Sequence, residues 1–325
     1  MKALQTIIAA ALCYAANAFA QTEKAEDATS YKAEVFGSAS SGSTTPFWMV
    51  SNRYGTVPLD ANNGYLNAGV FHQQHFGKGF RWSTGLDLVA AVPRYRNVFI
   101  QQIYAELGYK SMLLSVGSKE NRHSLWDRSL SSGDLVLSPN ARPIPEIKLS
   151  MPDFTVVPLT KGRMQVKGDF AVGKSFDTKY LEDFSNGKQT YVKHVLWHHK
   201  SFYVRIKDTQ SDFPLSGIIG VQHWAQWGGT SSNPKAGVQP HSLKDFIRVV
   251  CGSEGGDDAS QSDQINVLGN HFGSYDFKLE YTMPNWKLAA YHQHYFEDKS
   301  GMIFGNGTDG LWGVHDQQGP GGDRP

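Results

Sequence analysis

The residues that could do chemistry come first. Gly168-Asp-Phe-Ala-Val-Gly173-Lys174-Ser175 satisfies the spacing of a phosphate-binding loop, in which backbone amides cradle nucleotide phosphates. That chemistry needs a uniformly apolar, buried strand ahead of the loop. Here Arg163, Gln165, Lys167 and Asp169 alternate with Met164, Val166 and Phe170. The segment therefore reads as a two-faced strand running through Gly168, and nucleotide binding is not expected. Gly305-Asn-Gly307-Thr-Asp-Gly310 has dinucleotide-loop spacing, but too few residues follow it for the helix, strand and acidic residue such a site requires.

Histidines offer a second chemistry. His292 and His294 would share one strand face, and His198 and His199 form another pair. Zinc wants three or four convergent ligands, so no metal or cofactor is expected. Glu120, Asp127, Asp134 and Glu146 gather in one loop region and have the residue types of a glycoside-hydrolysing carboxylate pair. Solvated loop charges account for them better. G-x-S-x-G, H-E-x-x-H and Cys-x-x-Cys do not occur, so no catalytic residue is assigned and the chain does not read as an enzyme.

The elements that carry these residues alternate with period two. Phe80, Trp82, Leu86, Leu88 and Ala90 share one parity, with Arg81, Ser83, Gly85 and Asp87 on the other. Phe99, Ile103, Ala105, Leu107 and Tyr109 alternate with Gln102, Tyr104, Glu106 and Gly108. Residues 163–170 repeat the pattern, as do Tyr275, Phe277, Leu279 and Tyr281 against Asp276, Lys278 and Glu280. Segments 65–76, 111–117, 200–207, 216–227 and 285–296 alternate less cleanly, and 31–40 is weak. About ten or eleven strands are legible. The stretches 119–160, 176–197, 229–272 and 297–325 read as irregular, except for a short helix near 242–251 that Ser242 would cap and Gly252 would stop.

Alternation alone suits a soluble β-sandwich as well as a membrane barrel. Three features favour an antiparallel outer-membrane β-barrel. Several runs reach the ~9–11 residues of a tilted spanning strand. Trp82, Tyr109, Trp227 and Trp286 fall near strand ends, where interfacial aromatics sit. The start of the chain, with Lys2, the apolar run Ile7–Ala16 and Ala18-Phe19-Ala20, has the order of a secretory signal peptide over residues 1–20. Leu12 argues against a lipid anchor at Cys13. Cys251 lacks an internal partner and is expected to be buried or inert. The net charge of +1, without a basic tract, gives no reason to expect nucleic acid.

A set of ordered blocks adds a family likeness. Gly117-Ser-Lys-Glu120, Leu130-Ser-Ser-Gly133, Ser138-Pro-Asn-Ala-Arg-Pro-Ile-Pro145, Gln226-Trp-Gly-Gly229, Gly269-Asn-His-Phe-Gly273, Phe296-Glu-Asp-Lys-Ser-Gly301 and Asp309-Gly310-Leu311 resemble the capsule assembly Wzi family. The resemblance implies an outer-membrane barrel, larger than the strands legible here, that attaches capsular polysaccharide to the cell surface as a lectin. Gln317-Gln-Gly-Pro-Gly-Gly-Asp-Arg-Pro325 departs from the aromatic strand that closes such barrels. An unclosed sheet edge in lipid costs several kcal/mol per unpaired amide. The sequence is therefore expected to hold an incomplete barrel over 21–313, C-terminally truncated, followed by an irregular tail over 314–325.

Sugars are held by aromatic faces and by Asn, Asp, Arg and Gln hydrogen bonds. On that basis Trp126, Asp127, Arg128, Asn140, Arg142, Trp224 and Trp227 are the candidate contacts. Asn140–Pro145 reads equally as a rigid turn, and Trp227 as an interfacial residue. The expected partners are capsular polysaccharide and outer-membrane lipid. A diffusion channel is the competing function, and a surface glycoside hydrolase a weaker one.

Overall fold

A strand sends alternate side chains to opposite faces, so the burial of each parity reveals what the sheet faces. The computed structural model describes residues 27–93, 97–120, 125, 131, 134–208 and 213–318. They divide into two compact units.

The first unit holds β1 (Ala28–Ser38), α1 (Phe47–Val50), β2 (Asn63–Phe76), β3 (Phe80–Val92), β4 (Val98–Tyr109), residues 115–118 of β5 (Met112–Ser118), and residues 137–145. From β1 to β4 each strand pairs antiparallel with the next. The apolar parity faces outward: Tyr31, Val35, Leu66, Leu86, Leu88, Ile103 and Leu107 are exposed, while Asp87, Gln101, Gln102 and Glu106 are buried. The structure corrects one position. Phe99 does not share a face with Ile103 but is buried, because the register shifts between Asp87 and Leu88 and reverses the parity of the first residues of β4.

The buried polar side chains are paired, as burial demands. Lys32 Nζ lies 3.2 Å from Asp87, which also accepts from Gln102 at 3.2 Å and from Asn67. Glu106 accepts from Lys119 at 2.7 Å and from Ser115 at 2.8 Å. The 44–62 segment adds a small apolar cluster, with Val50 and Val57 packed on Tyr65, Val89, Ala91 and Phe99.

The second unit holds residues 112–114 of β5, β6 (Glu146–Val156), β7 (Met164–Lys174), α2 (Thr178–Ser185), β8 (Val192–Lys193), β9 (Leu196–Lys207), β10 (Leu215–Trp227), β11 (Thr230–Ser231), α3 (Leu243–Cys251), α4 (Gln261–Ile265), β12 (Asn270–Met283), β13 (Trp286–Phe296), α5 (Lys299–Met302) and β14 (Leu311–Gln318). Its main sheet runs β6-β7-β9-β10-β12-β13-β14, antiparallel throughout, and β8 with β11 forms a small separate pair. Connections alternate in length. Residues 157–163 and 284–285 turn at one end, while 175–195, 228–269 and 297–310 connect the other.

Three expectations about elements change here. The stretch 119–160 contains β6, whose Ile147 and Leu149 point outward and Lys148 and Ser150 inward. Its alternation is hidden because Pro152 and Asp153 fall at a register shift. The 314–325 tail is not wholly irregular, because residues 314–318 complete β14, paired with β13 and exposing Trp312 and Val314. The 176–197 stretch contains α2, which stops at Asn186 in the left-handed conformation.

The helix expected near 242–251 is present as α3. The Ser242 hydroxyl accepts from the Asp245 amide, the Asp245 carboxylate accepts from the Ser242 amide, and left-handed Gly252 ends it. Cys251 is exposed at its last turn, which overturns the burial alternative of the expectation that it is buried or inert. Among the described residues no helix is long and apolar enough to cross a membrane.

Candidate functional site

The register of the second unit sorts its side chains into rows. On the inner, polar face, one row is Lys167, Tyr203, Gly220, Asp276 and Gln293, and the next toward the long connections is Asp169, Ser201, Gln222, Ser274 and Tyr295. Tyr203 Oη donates to Asp276 at 2.8 Å, and Ser274 Oγ donates to the same carboxylate at 2.8 Å. The Tyr203 ring lies over Gly220, where any Cβ would collide with it.

A connecting segment is seated on this face. Asp134 accepts from Gln222 at 3.2 Å and from Gln293 at 3.0 Å, and the Leu135 amide donates to Gln293 at 2.8 Å. Lys278 Nζ donates to the Leu125 carbonyl at 2.5 Å, and Leu125 is buried against Tyr203, Ile218 and Tyr291. Polar anchors therefore hold Asp134 and Leu135 against the sheet, and apolar packing together with the Lys278 bond holds Leu125.

Above these rows the inner face becomes aromatic. His199, Trp224 and Phe272 are register partners, followed at the strand ends by Trp197, Gln226 and Asn270. Trp224 stacks on His199 at 4.1 Å and meets Trp197 edge-on at 6.2 Å. Trp197 is fixed by an Nε1 hydrogen bond of 2.6 Å to Ser175 Oγ. Trp224 is buried, Trp197, Phe272 and Gln226 are half-buried, and Asn270 is exposed. A rigid aromatic wall with amides at its open edge has the two contact types a sugar ring needs.

Of the sequence candidates, only Trp224 belongs to this wall. Trp227 is on the opposite parity and is buried against Phe246 of α3, with ring centroids 5.7 Å apart. Asn140 and Arg142 shape a turn in the first unit: Asn140 Oδ1 accepts from the Arg53 amide at 3.2 Å, and Arg142 donates to the Ile100 carbonyl at 2.7 Å while lying over the Phe99 ring. Trp126, Asp127 and Arg128 lie outside the described residues. Trp197, Gln226, Phe272 and Asn270 escaped the sequence reading, because only cross-strand register brings them to Trp224.

The chemistry-bearing motifs also find places. Gly168–Lys174 is strand, as the alternation required. Asp134 is engaged by Gln222 and Gln293, Glu120 accepts from Gln101 at 3.1 Å, and Glu146 pairs with Lys148 at 3.0 Å on β6, whereas Asp127 is outside the described residues. Among the described residues no group of three or more His, Cys, Asp or Glu converges as a metal set.

The model of the capsule assembly protein Wzi family matches residues 32–323. This chain belongs to that family. With the inverted burial of its strands, membership makes it an antiparallel β-barrel protein of the outer membrane. The Escherichia coli protein described as Wzi, an outer membrane protein involved in group 1 capsule assembly and a carbohydrate-binding β-barrel, is 15% identical, with a TM-score of 0.48. The match covers 84% of this chain and 48% of that one, so the chain spans about half the length of that protein. A Rhodopseudomonas blastica porin is 9% identical over 90% of this chain and 91% of its own, at a TM-score of 0.34. Pseudomonas aeruginosa OccK2 is 12% identical over 88% and 66%, at 0.32. No curated protein matches at a significant level.

Proposed function

We propose that this Wzi-family protein binds capsular polysaccharide at the outer membrane and helps hold or assemble capsule there, as a lectin-like protein without catalysis. Membership of a capsule assembly family supports capsular polysaccharide as the ligand class. The observation that carries the binding role is the wall of Trp197, Trp224 and Phe272 edged by Gln226 and Asn270, at the end of the second unit where the long connections lie.

The wall is preorganised, since stacking and the Ser175 hydrogen bond hold its rings before ligand arrives. Of the four loop carboxylates, Asp134, Glu120 and Glu146 are engaged in structural bonds, which supports binding over hydrolysis.

The test is polysaccharide binding by the full-length protein in detergent, using capsular glycan purified from its own cells. Trp197→Ala and Asn270→Ala are each expected to weaken binding about tenfold, roughly 1.4 kcal/mol. Unchanged affinity in both would move the site elsewhere. Deleting the gene should shed capsule into the medium, and full retention on cells would overturn the anchoring role.

A further inference from the structure

The outward face of the second unit changes character along its strands. Its lower rows are apolar, as in Val166, Val204, Ile219 and Phe277. Above them come Phe170, Lys200 and His223, then Val172, His198, Ala225 and His271. Histidine and lysine on a bare lipid-facing surface would be costly, so the hydrocarbon boundary falls near these rows.

Two long connections fold out over this boundary. Phe246 of α3 packs on Trp227, on His198 at 5.8 Å and on Phe170 at 6.4 Å, while Lys200 Nζ donates to the Val250 carbonyl. Beyond α5, Phe304 covers His294 at 4.3 Å and Tyr275 at 5.5 Å. Both segments leave large apolar side chains uncovered. Leu243 is 75% exposed and Ile247 56% on α3, and Ile303 is 69% exposed beside Phe304.

We infer that α3 is an interfacial helix that rests in the outer leaflet of the membrane, with the α5 segment as a second contact. Around α3, Phe246, Val249, Val250, Leu243 and Ile247 form one apolar arc at 100° per residue, and Lys244 and Arg248 fall on the other side. The sheet covers only one flank of that arc. The other flank, Leu243 and Ile247, continues the lipid-facing surface of β9 and β10.

Dimensions point the same way. In the second unit, the outward apolar run Tyr275 to Met283 on β12 measures eight residue steps. That is roughly 26 Å along the strand and about 20 Å along the membrane normal after a tilt near 40°, short of the ~25 Å band of such barrels. An interfacial helix beds its apolar flank about 5–10 Å deep, enough to close the difference.

Nitroxide accessibility tests this in the full-length protein reconstituted in phosphatidylcholine vesicles. In a Cys251→Ser background, labels are placed singly through Leu243→Cys, Ile247→Cys, Lys244→Cys and Ile303→Cys, with Ile219→Cys giving the lipid-facing reference. Heat-modifiable gel migration confirms folding of each, and position 247 stands in for 243 if that label blocks folding. Labels at 243, 247 and 303 should favour oxygen over a water-soluble nickel chelate by several fold, as at 219, and the order should reverse at 244. Chelate access at 243 and 247 would show a helix in water and overturn the inference. Exclusion of both reagents would overturn it in favour of a second protein surface.

Discussion

At the residue scale, burial makes polar groups depend on their partners. Asp87 has no solvent exposure and serves Lys32, Gln102 and Asn67 at once. Asp87→Ala would leave Lys32 and Gln102 without this acceptor while Asn67 keeps the Leu88 carbonyl, and breaking a pair half of which is fully buried costs up to about 3–5 kcal/mol. Urea unfolding of the reconstituted protein should show a loss of that order, whereas Asp60→Ala on an exposed loop should cost under about 0.5 kcal/mol. Trp224 shows how far the sequence went at this scale. Its type marked it as a sugar contact, but the stretch His223–Trp227 gave no sign that Trp224 and Trp227 serve opposite faces. That follows from strand parity, and the role of Trp227 follows from α3, a helix some twenty residues away in the chain. Trp197 has no telling neighbour in the chain, and Asn270 stood out only as part of the Gly269–Gly273 family block, with nothing there to mark it as a sugar contact.

At the element scale, α3 stands on its cap. Ser242→Ala removes the capping hydroxyl and should cost about 1 kcal/mol, read as faster amide exchange over 243–251. Burial would raise the Asp245 carboxyl, but hydrogen bonds from the Ser242 hydroxyl and amide and from Arg248 outweigh it and hold the group below the ordinary carboxylate range. A depressed value contributes stability that is present above the unfolded pKa of about 3.9 and lost as pH falls through the folded value. The protection of α3 amides, relative to their intrinsic exchange at each pH, should therefore fall as pH drops below about 4, and much less so in Asp245→Asn. The strands make an orthogonal prediction. Ile219→Arg on the outward face should cost about 2–4 kcal/mol in vesicles. Elements were legible where alternation ran unbroken, as in β3 and β12. They were lost where it broke: Pro152 and Asp153 masked β6, and glycine and polar residues masked β14.

At the scale of the whole molecule, alternation alone could not choose between sandwich and barrel, and strand length, aromatic placement and the family likeness were what favoured the barrel. Which parity is buried decides it. Asp276, Gln293, His199 and Gln222 are inside while Phe277, Leu279, Phe202 and Ile219 are outside, the reverse of a soluble sheet. The seating of Leu125, Asp134 and Leu135 on the inner face bears on the competing reading as a diffusion channel. Full-length protein in planar bilayers is expected to pass little current, and a Gln222→Ala/Gln293→Ala double variant, which removes the two glutamine bonds to Asp134, should raise the frequency of open events. Large steady conductance in the unaltered protein would favour the channel.

That seat also constrains how the protein comes into being. Asp134 precedes Gln222 by 88 residues and Gln293 by 159. A segment synthesised early must wait for strands that arrive much later, and such distant contacts bring little reward until nearly the whole sheet exists. Asp134 and Leu135 should therefore dock late, so that their bonds to Gln222 and Gln293 report when β10 and β13 have found their register.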